Sequence, residues 1–227
     1  MAGDDGRRVR VEVWSDLACP WCYLGKRRFE AALARFEHRD RVEVSWRAFQ
    51  LDPDAPPEHE RDLLDLLVGR YRMSRDEVAE SHARLTQLGA EVGIDYRFER
   101  VRAGSSRDAH RLVKIAGERG LAGEMKERLM RAHFGEGALL SDRETLVRLA
   151  AEVGVPAEEA RAGLEEDRHA DTLAVDAQRA RAFGIRGVPV FVFDSQFPVV
   201  GAQASDALLD VLGRVWETPP DAPTLRR

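Results

Sequence analysis

Hydrophobic and polar positions alternate in two short segments near the start of the chain, and a helical pattern separates them. The alternation covers residues 9–14 and residues 41–46, which is typical of strands. Between them, residues 22–36 place apolar side chains near helical spacing. A turn-rich stretch over residues 52–57 follows the second strand. This part of the chain is therefore predicted to form a βαβ unit.

The pattern is almost entirely helical over residues 58–183. Stripes of apolar residues recur there at helical spacing. Two pairs, Ser74 with Glu77 and Ser141 with Glu144, match the capping box that opens a helix. We expect a block of several helices in this region.

A strand pattern returns after Gly184. Residues 188–193 are β-branched and aromatic, a turn signal follows at residues 194–196, and residues 198–200 continue as a second short strand. These segments predict a β-hairpin. Helical spacing then resumes over residues 204–216, which predicts a last helix.

The order of these elements predicts an α/β protein. A βαβ unit at one end and a helix, a hairpin and a second helix at the other form a thioredoxin fold, interrupted by a large α-helical insertion. The predicted thioredoxin-like domain comprises residues 1–57 and 168–227, and the predicted insertion domain comprises residues 58–167.

The composition is that of an ordinary globular protein. Charged residues make up 33% and hydrophobic residues 44% of the 227 positions, and the net charge is −5. Basic and acidic residues are interleaved, so there is no electrostatic case for binding nucleic acid. A chain of this length buries roughly 70% of its unfolded surface and needs no disulfide staples.

The chain lacks the patterns of export and membrane insertion. Residues 1–8 lead directly into the first strand without the apolar stretch of a secretory signal. No run of about 18 apolar residues occurs. We therefore expect a cytoplasmic protein that has no membrane partner. In a reducing compartment, a lone cysteine pair is more often catalytic than structural.

Both cysteines lie within the four residues Cys19, Pro20, Trp21 and Cys22, where the first strand pattern gives way to a helix. A structural role would not explain why both share one turn, and a zinc site needs a second pair of ligands that the chain lacks, so no metal is predicted. Redox chemistry is favoured. A helix N-terminus favours the thiolate, which makes Cys19 the expected nucleophile and Cys22 the resolving thiol. Pro20 and Trp21 are expected to tune the thiolate.

Several short blocks show a resemblance to a known family. They are Ser15-Asp16, the run from Cys19 to Gly25, Ala109-His110-Arg111-Leu112, Gly187-Val188-Pro189 and Gly201-Ala202-Gln203. The chain resembles the DsbA-like thioredoxin-fold oxidoreductases, in particular their cytoplasmic FrnE-type branch. The resemblance implies a thiol–disulfide oxidoreductase that acts on disulfide-bearing or thiol-bearing polypeptides or small thiols. Such an enzyme is expected to require no cofactor, and glutathione is a candidate redox partner or ligand.

The family also implies a cis proline that faces the cysteines, and two Gly-Val-Pro triplets compete for that place. Pro156 precedes a helix with acidic residues in its first turn, where a proline is an ordinary start. Pro189 precedes a strand pattern, where a proline with a cis bond fits. Pro189 is therefore the predicted cis proline, Val188 the predicted substrate-pairing residue, and Gly187 part of the same binding segment.

Three further residues have two interpretations each. Asp16 can accept a proton near the thiols or act as an exposed loop cap. His110 is either a structural histidine or one that the insertion turns toward the cysteines. Gln203 follows the hairpin on the same sheet edge as Pro189, so it is a candidate for substrate binding.

Two other functions stay open. The fold also resembles glutathione-dependent 2-hydroxychromene-2-carboxylate isomerases and kappa-class glutathione transferases, which generally have serine where Cys19 stands. A second thiol has no purpose in such an enzyme, which favours redox chemistry. The third possibility is a polypeptide-binding chaperone in which the thiols act only as a redox sensor. The sequence leaves the substrate, redox partner, potential, direction of electron flow and oligomeric state open.

Overall fold

The computed structural model describes residues 6–59 and 62–218. Its strands form one four-stranded sheet in the order β2-β1-β3-β4. The strands are β1 (Val9–Ser15), β2 (Val42–Ala48), β3 (Val190–Phe193) and β4 (Phe197–Val200). β1 pairs in parallel with β2 and antiparallel with β3, and β3 and β4 form the predicted hairpin. The predicted thioredoxin fold is confirmed.

The helices of the described part fill the predicted places. They are α1 (Pro20–Arg35), α2 (Leu63–Tyr71), α3 (Arg75–Ala90), α4 (Arg107–Gly117), α5 (Ala122–Arg131), α6 (Arg143–Glu152), α7 (Ala157–Glu165), α8 (Ala170–Ala182) and α9 (Ser205–Glu217). α1 is the crossover between the parallel strands β1 and β2, as such a connection requires. Helices α2 to α7 lie between β2 and α8 in the chain and are called the helical block below. No helix among the described residues combines the length and apolar character that a membrane span needs.

The sheet is covered on both faces. On one face Val11 and Phe191 pack against Phe29 of α1 and Leu212 of α9. On the other face Trp14, Val190 and Val192 pack against Ala180 of α8. Alternate residues of a strand point to opposite faces, which is why β3 contributes to both layers.

The carboxylate of Asp176 on α8 is completely buried against this second face. It accepts hydrogen bonds from the backbone N–H of Ala48 at 2.9 Å and from Arg47 at 3.1 Å, both on β2. Its other neighbour is Lys114 of α4, whose Nζ lies 2.6 Å away. One carboxylate thus joins the sheet, α8 and the helical block.

A third apolar core lies among the helices from α3 to α7 and continues into the first turn of α1. Cys22, Tyr23 and Leu24 belong to it, together with Leu129 and Phe134. The start of α1 is therefore enclosed by the helical block, whereas the rest of α1 packs on the sheet.

One of the two predicted capping boxes is present. Ser74 and Glu77 form the reciprocal pair at the start of α3. The prediction of a capping box at Ser141 is wrong. Asp142 caps α6 through its side chain, and the Ser141 hydroxyl donates instead to the carbonyl of Pro57. The proposed domain boundaries stay a prediction, and residues 1–5, 60–61 and 219–227 lie outside the described residues.

Candidate active site

The two cysteines open helix α1. Cys19 is the N-cap residue in extended conformation, and its carbonyl accepts hydrogen bonds from the N–H groups of Cys22 at 3.0 Å and Tyr23 at 3.3 Å. Pro20 fills the first helical position, where its missing N–H costs nothing. The first turn contains no acidic residue. The positive end of the helix dipole lies at Cys19, and no acidic side chain of the first turn offsets it.

The two thiols are both free but have different surroundings. Cys19 is 5% exposed and lines a cavity, whereas Cys22 is 1% exposed and lies behind it. Burial raises the pKa of Cys22 well above its ordinary value, and hydrogen bonding and charge from Cys19 raise it further. The Asp16 backbone and the charge of Lys126 act in the opposite direction. Cys22 needs such help before it can act as a nucleophile.

The segment before β3 faces Cys19. The Val188–Pro189 peptide bond is cis, so the structure has this bond at the triplet where the sequence predicts it. The Cys19 thiol donates to the carbonyl of Val188 across 4.0 Å. A Cβ added to Gly25 of α1 would lie 3.0 Å from the Pro189 ring, so Gly25 allows this close approach. The roles of Val188 and Pro189 in substrate binding stay predictions.

Asp16 is not an exposed loop cap, and that expectation is wrong. It is 2% exposed, and its carboxylate accepts hydrogen bonds from the N–H of Leu51 at 2.7 Å and of Ala18 at 3.2 Å. His110 Nε2, 3.3 Å away, donates to the same carboxylate. Burial acts to raise the pKa of Asp16, but His110 and Leu51 hold it below its ordinary value. Burial lowers the pKa of His110.

His110 therefore reaches the thiol site only through Asp16. Within the described residues no hydrogen bond joins it to either thiol, although the backbone carbonyl of Asp16 accepts the N–H of Cys19 at 3.3 Å. The helical block thus supports the loop that precedes Cys19. No three side chains of the metal-binding types are grouped closely enough in residues 6–59 and 62–218 to hold a metal ion.

The cavity beside Cys19 has a volume of about 430 Å³ and mainly apolar walls. One side is formed by Cys19, Pro20, Trp21, Gly187 and Val188. Much of the remaining lining comes from α2, α3 and the segments that follow, including Leu67, Tyr71, Val78, His82 and Phe98. His82 and Phe98 stack at 3.9 Å between ring centroids.

Arg186 is the one permanently charged side chain among the described residues that line this cavity. Within the described part of the chain it has no hydrogen bond or ion pair. Sequence analysis missed it because an arginine in a loop gives no signal of what it faces. It likewise missed Lys126 of α5, which is buried and whose charge acts on Cys22.

Gln203 lies near the site but does not contact the thiols. It is exposed, and its side-chain amide donates to the carbonyl of Val200 at 2.8 Å. The link to the cis proline comes from Gly201, whose N–H donates to the Pro189 carbonyl at 2.8 Å. A role of Gln203 in substrate binding stays a prediction.

A paired dithiol at the start of the helix that follows β1, facing a cis proline at the start of β3, defines the thioredoxin-fold class of proteins. The family model described as the DSBA-like thioredoxin domain matches residues 10–213. The chain belongs to this family.

Solved structures agree with this assignment. A protein described as a probable DsbA oxidoreductase, SCO1869 from Streptomyces coelicolor, is 38% identical, with a TM-score of 0.88 over 97% of this chain and 94% of its own. The cytosolic disulfide reductase DsbM from Pseudomonas aeruginosa, solved with GSH, is 20% identical, with a TM-score of 0.65 over 92% and 100% of the two chains.

A 2-hydroxychromene-2-carboxylate isomerase is 16% identical, with a TM-score of 0.67 over 91% of this chain and 95% of its own. At this level of identity, the likeness to DsbM and to the isomerase is one of fold alone.

Proposed function

We propose that this protein is a thiol–disulfide oxidoreductase that uses Cys19 and Cys22 as its redox pair. The observation that carries the proposal is the difference between the two thiols. Cys19 opens α1 and lines a cavity beside the Val188 carbonyl, whereas Cys22 is enclosed one turn further on. One thiol is thus placed to meet a substrate and the other to complete the exchange.

The reaction in the reducing direction proceeds in two exchanges. The Cys19 thiolate attacks one sulfur of a substrate disulfide, which forms a mixed disulfide and releases the other sulfur as a thiolate. The Cys22 sulfur then attacks Cys19, the bond between Cys19 and the substrate breaks, and the Cys19–Cys22 disulfide forms. Two electrons pass from the dithiol to the substrate. Oxidation of a substrate dithiol is the reverse.

The surroundings of Cys19 support a substrate class. Gly187 and Val188 line the cavity, where their backbone offers an edge for an extended polypeptide, and the apolar walls suit its side chains. Arg186 adds a positive charge that suits carboxylates, so glutathione or another acidic small thiol is the proposed redox partner. The GSH in the DsbM structure supports this choice. Membership of the FrnE-type branch and a cytoplasmic location belong to the same proposal.

Isomerase or transferase activity with glutathione is the alternative within the same fold. Such an enzyme activates the thiol of bound glutathione and has no use for Cys22. The burial of Cys22 directly behind Cys19 therefore favours redox chemistry. A chaperone whose thiols act only as a redox sensor would bind polypeptides in the cavity and would need neither thiol for that binding.

The first prediction tests the two roles. We expect Cys19→Ser to abolish reduction of insulin, because the attacking sulfur is gone, and Cys22→Ser to accumulate mixed disulfides, because the resolving sulfur is gone. Turnover is followed by insulin precipitation and adducts are followed by mass spectrometry.

The double variant Cys19→Ser/Cys22→Ser is the control. Retained insulin reduction in Cys19→Ser contradicts the proposal. Glutathione-dependent isomerisation by that variant supports the alternative, and suppression of aggregation that survives in the double variant supports the chaperone.

A further inference from the structure

Lys126 on α5 is a buried lysine without an ion-pair partner among the described residues. It is 1% exposed, and among the described residues it has neither a hydrogen bond nor an ion pair. Its Nζ lies 5.5 Å from the centre of the Trp46 ring. The same ring lies 5.9 Å from Nζ of Lys26, which is one helical turn after Cys22 on α1. A buried ammonium without a counter-ion destabilises the fold because it loses its hydration. Such a group is a candidate for function.

The neighbouring lysines have conventional partners. Lys26 of α1 is buried as well, but its Nζ lies 2.9 Å from Glu127. Lys114 of α4 lies 2.6 Å from Asp176. Lys126 is therefore the lysine of this group whose charge is not neutralised by a carboxylate in contact with it.

The groups that face Lys126 come from several elements. Cys22 and Asp16 attract its charge, with Cys22 the stronger, whereas Lys26 and Lys114 repel it. Burial is the main reason why the pKa of Lys126 is lowered to about 8. In return, the charge of Lys126 lowers the pKa of Cys22 against the larger effect of burial.

We propose that the buried ammonium of Lys126 stabilises the Cys22 thiolate when Cys22 attacks the mixed disulfide at Cys19. The inference rests on the proposed function and assigns Lys126 to its second exchange. Cys22 loses its proton to solvent and its sulfur attacks the Cys19 sulfur. The bond from Cys19 to the substrate breaks, and the substrate leaves as a thiolate that takes up a proton. Lys126 acts through Cys22 and is a positioning residue.

The geometry separates the two exchanges. Cys19 meets the substrate in the cavity, which Lys126 does not line. Cys22 packs in one apolar core with Trp46 and with Met125 and Leu129 of α5, and it is 1% exposed, so solvent stabilises its charge poorly. Loss of Lys126 should therefore slow resolution and leave the first attack unchanged.

Lys126→Met tests the inference in single-turnover reactions of the reduced protein with a disulfide peptide. The thiolate fraction of Cys22 falls about tenfold for each unit by which its pKa rises. We expect formation of the mixed disulfide to stay within about twofold of wild type. Release should slow by about tenfold or more, and its pH dependence should move to higher pH. The urea midpoint should be unchanged or higher, because an unpaired buried charge is removed.

Lys114→Met is the matched control. It removes a neighbouring ammonium that is paired, so we expect a lower urea midpoint and release within about twofold of wild type. Release by Lys126→Met at the wild-type rate and pH dependence overturns the inference. A wild-type protein that does not reduce the disulfide peptide overturns the proposed function instead, so the two failures are distinguishable.

A second comparison serves if Lys126→Met does not fold. Alkylation of Cys22 is measured against pH in Cys19→Ser and in Cys19→Ser/Lys126→Gln. We expect alkylation in the double variant to begin at higher pH, and coincident pH profiles overturn the inference.

Discussion

At the scale of single residues, some charged groups of the site have a partner of opposite charge and others do not. Asp16 and His110 form a buried pair, whereas Lys126 and Arg186 have no counter-ion among the described residues. The two unpaired cations have different surroundings: Lys126 is buried and does not line the cavity, whereas Arg186 lines the cavity at Cys19. Lys126 should therefore influence the rate at which the mixed disulfide is resolved, and Arg186 should influence the choice of substrate.

Replacement of Arg186 tests the second of these effects. We expect Arg186→Gln to raise KM for oxidised glutathione about two- to fivefold, which is the range of an exposed charge pair. KM for the uncharged hydroxyethyl disulfide should not change. Steady-state kinetics at low and high salt measure both, and salt should reduce the difference.

Arg181→Gln is the control, since Arg181 is an exposed arginine on α8 that does not line the cavity. Equal effects of Arg186→Gln on both disulfides would show that Arg186 does not recognise carboxylates.

At the scale of elements, the helical block is fitted to the active-site helix through aromatic contacts. Tyr96 donates its hydroxyl to the carbonyl of Pro20 at 2.5 Å, and its ring packs against Tyr23 and Phe134. The ring also lies on Gly89 of α3, where an added Cβ would come within 2.6 Å of it. A side chain at Gly89 would therefore displace the tyrosine that supports the first turn of α1.

Two helical glycines should respond to alanine in opposite directions. Gly89→Ala forces the Tyr96 ring to move, and overpacking of this kind costs about 1–3 kcal/mol. Gly213 of α9 has nothing within 4 Å of an added Cβ, so Gly213→Ala should stabilise the protein by about 0.5–1 kcal/mol through helix propensity. Urea unfolding compares the two. A neutral Gly89→Ala would contradict the proposed fit between α3 and α1.

Periodicity and turn signals predicted these elements because they depend on local spacing. The sheet, the hairpin and the helical block follow from such patterns, as does the choice between Pro156 and Pro189. The burial of Asp16 did not follow, since it depends on how α4 approaches a loop that is distant in sequence. The apolar stripe of α2 was visible, but its position on the cavity wall was not, because periodicity does not identify what a face contacts.

At the scale of the whole molecule, histidines make the stability depend on acid. Burial, partial for His82 and nearly complete for His110 and His133, lowers the pKa of all three below the ordinary 6.5, so these rings take up protons less readily in the fold than in the unfolded chain. Below about pH 6.5 the unfolded chain binds protons that the folded protein does not bind. The free energy of unfolding should therefore fall as pH drops from 6.5 toward 5, by at most about 1.4 kcal/mol per pH unit for each fully buried ring.

Urea unfolding at a series of pH values measures this slope. His82→Phe keeps a ring stacked on Phe98 and removes one titrating group, so we expect a shallower slope. A free energy of unfolding that is constant between pH 5 and 6.5 would show that these rings titrate as they do in the unfolded chain. Asp16 and Glu127, whose pKa values are lowered, would lose their stabilisation only at still lower pH.

The buried carboxylate of Asp176 limits how far the protein can be reduced in size. It connects β2 with Lys114 of α4, so deletion of the helical block would remove Lys114 and leave Arg47 as the charged partner of the Asp176 carboxylate. The same deletion would uncover Cys22. We therefore expect a version trimmed back to the sheet and its covering helices to be less stable and to expose Cys22. Transfer of the dithiol to a smaller scaffold would have to include α4 and α5.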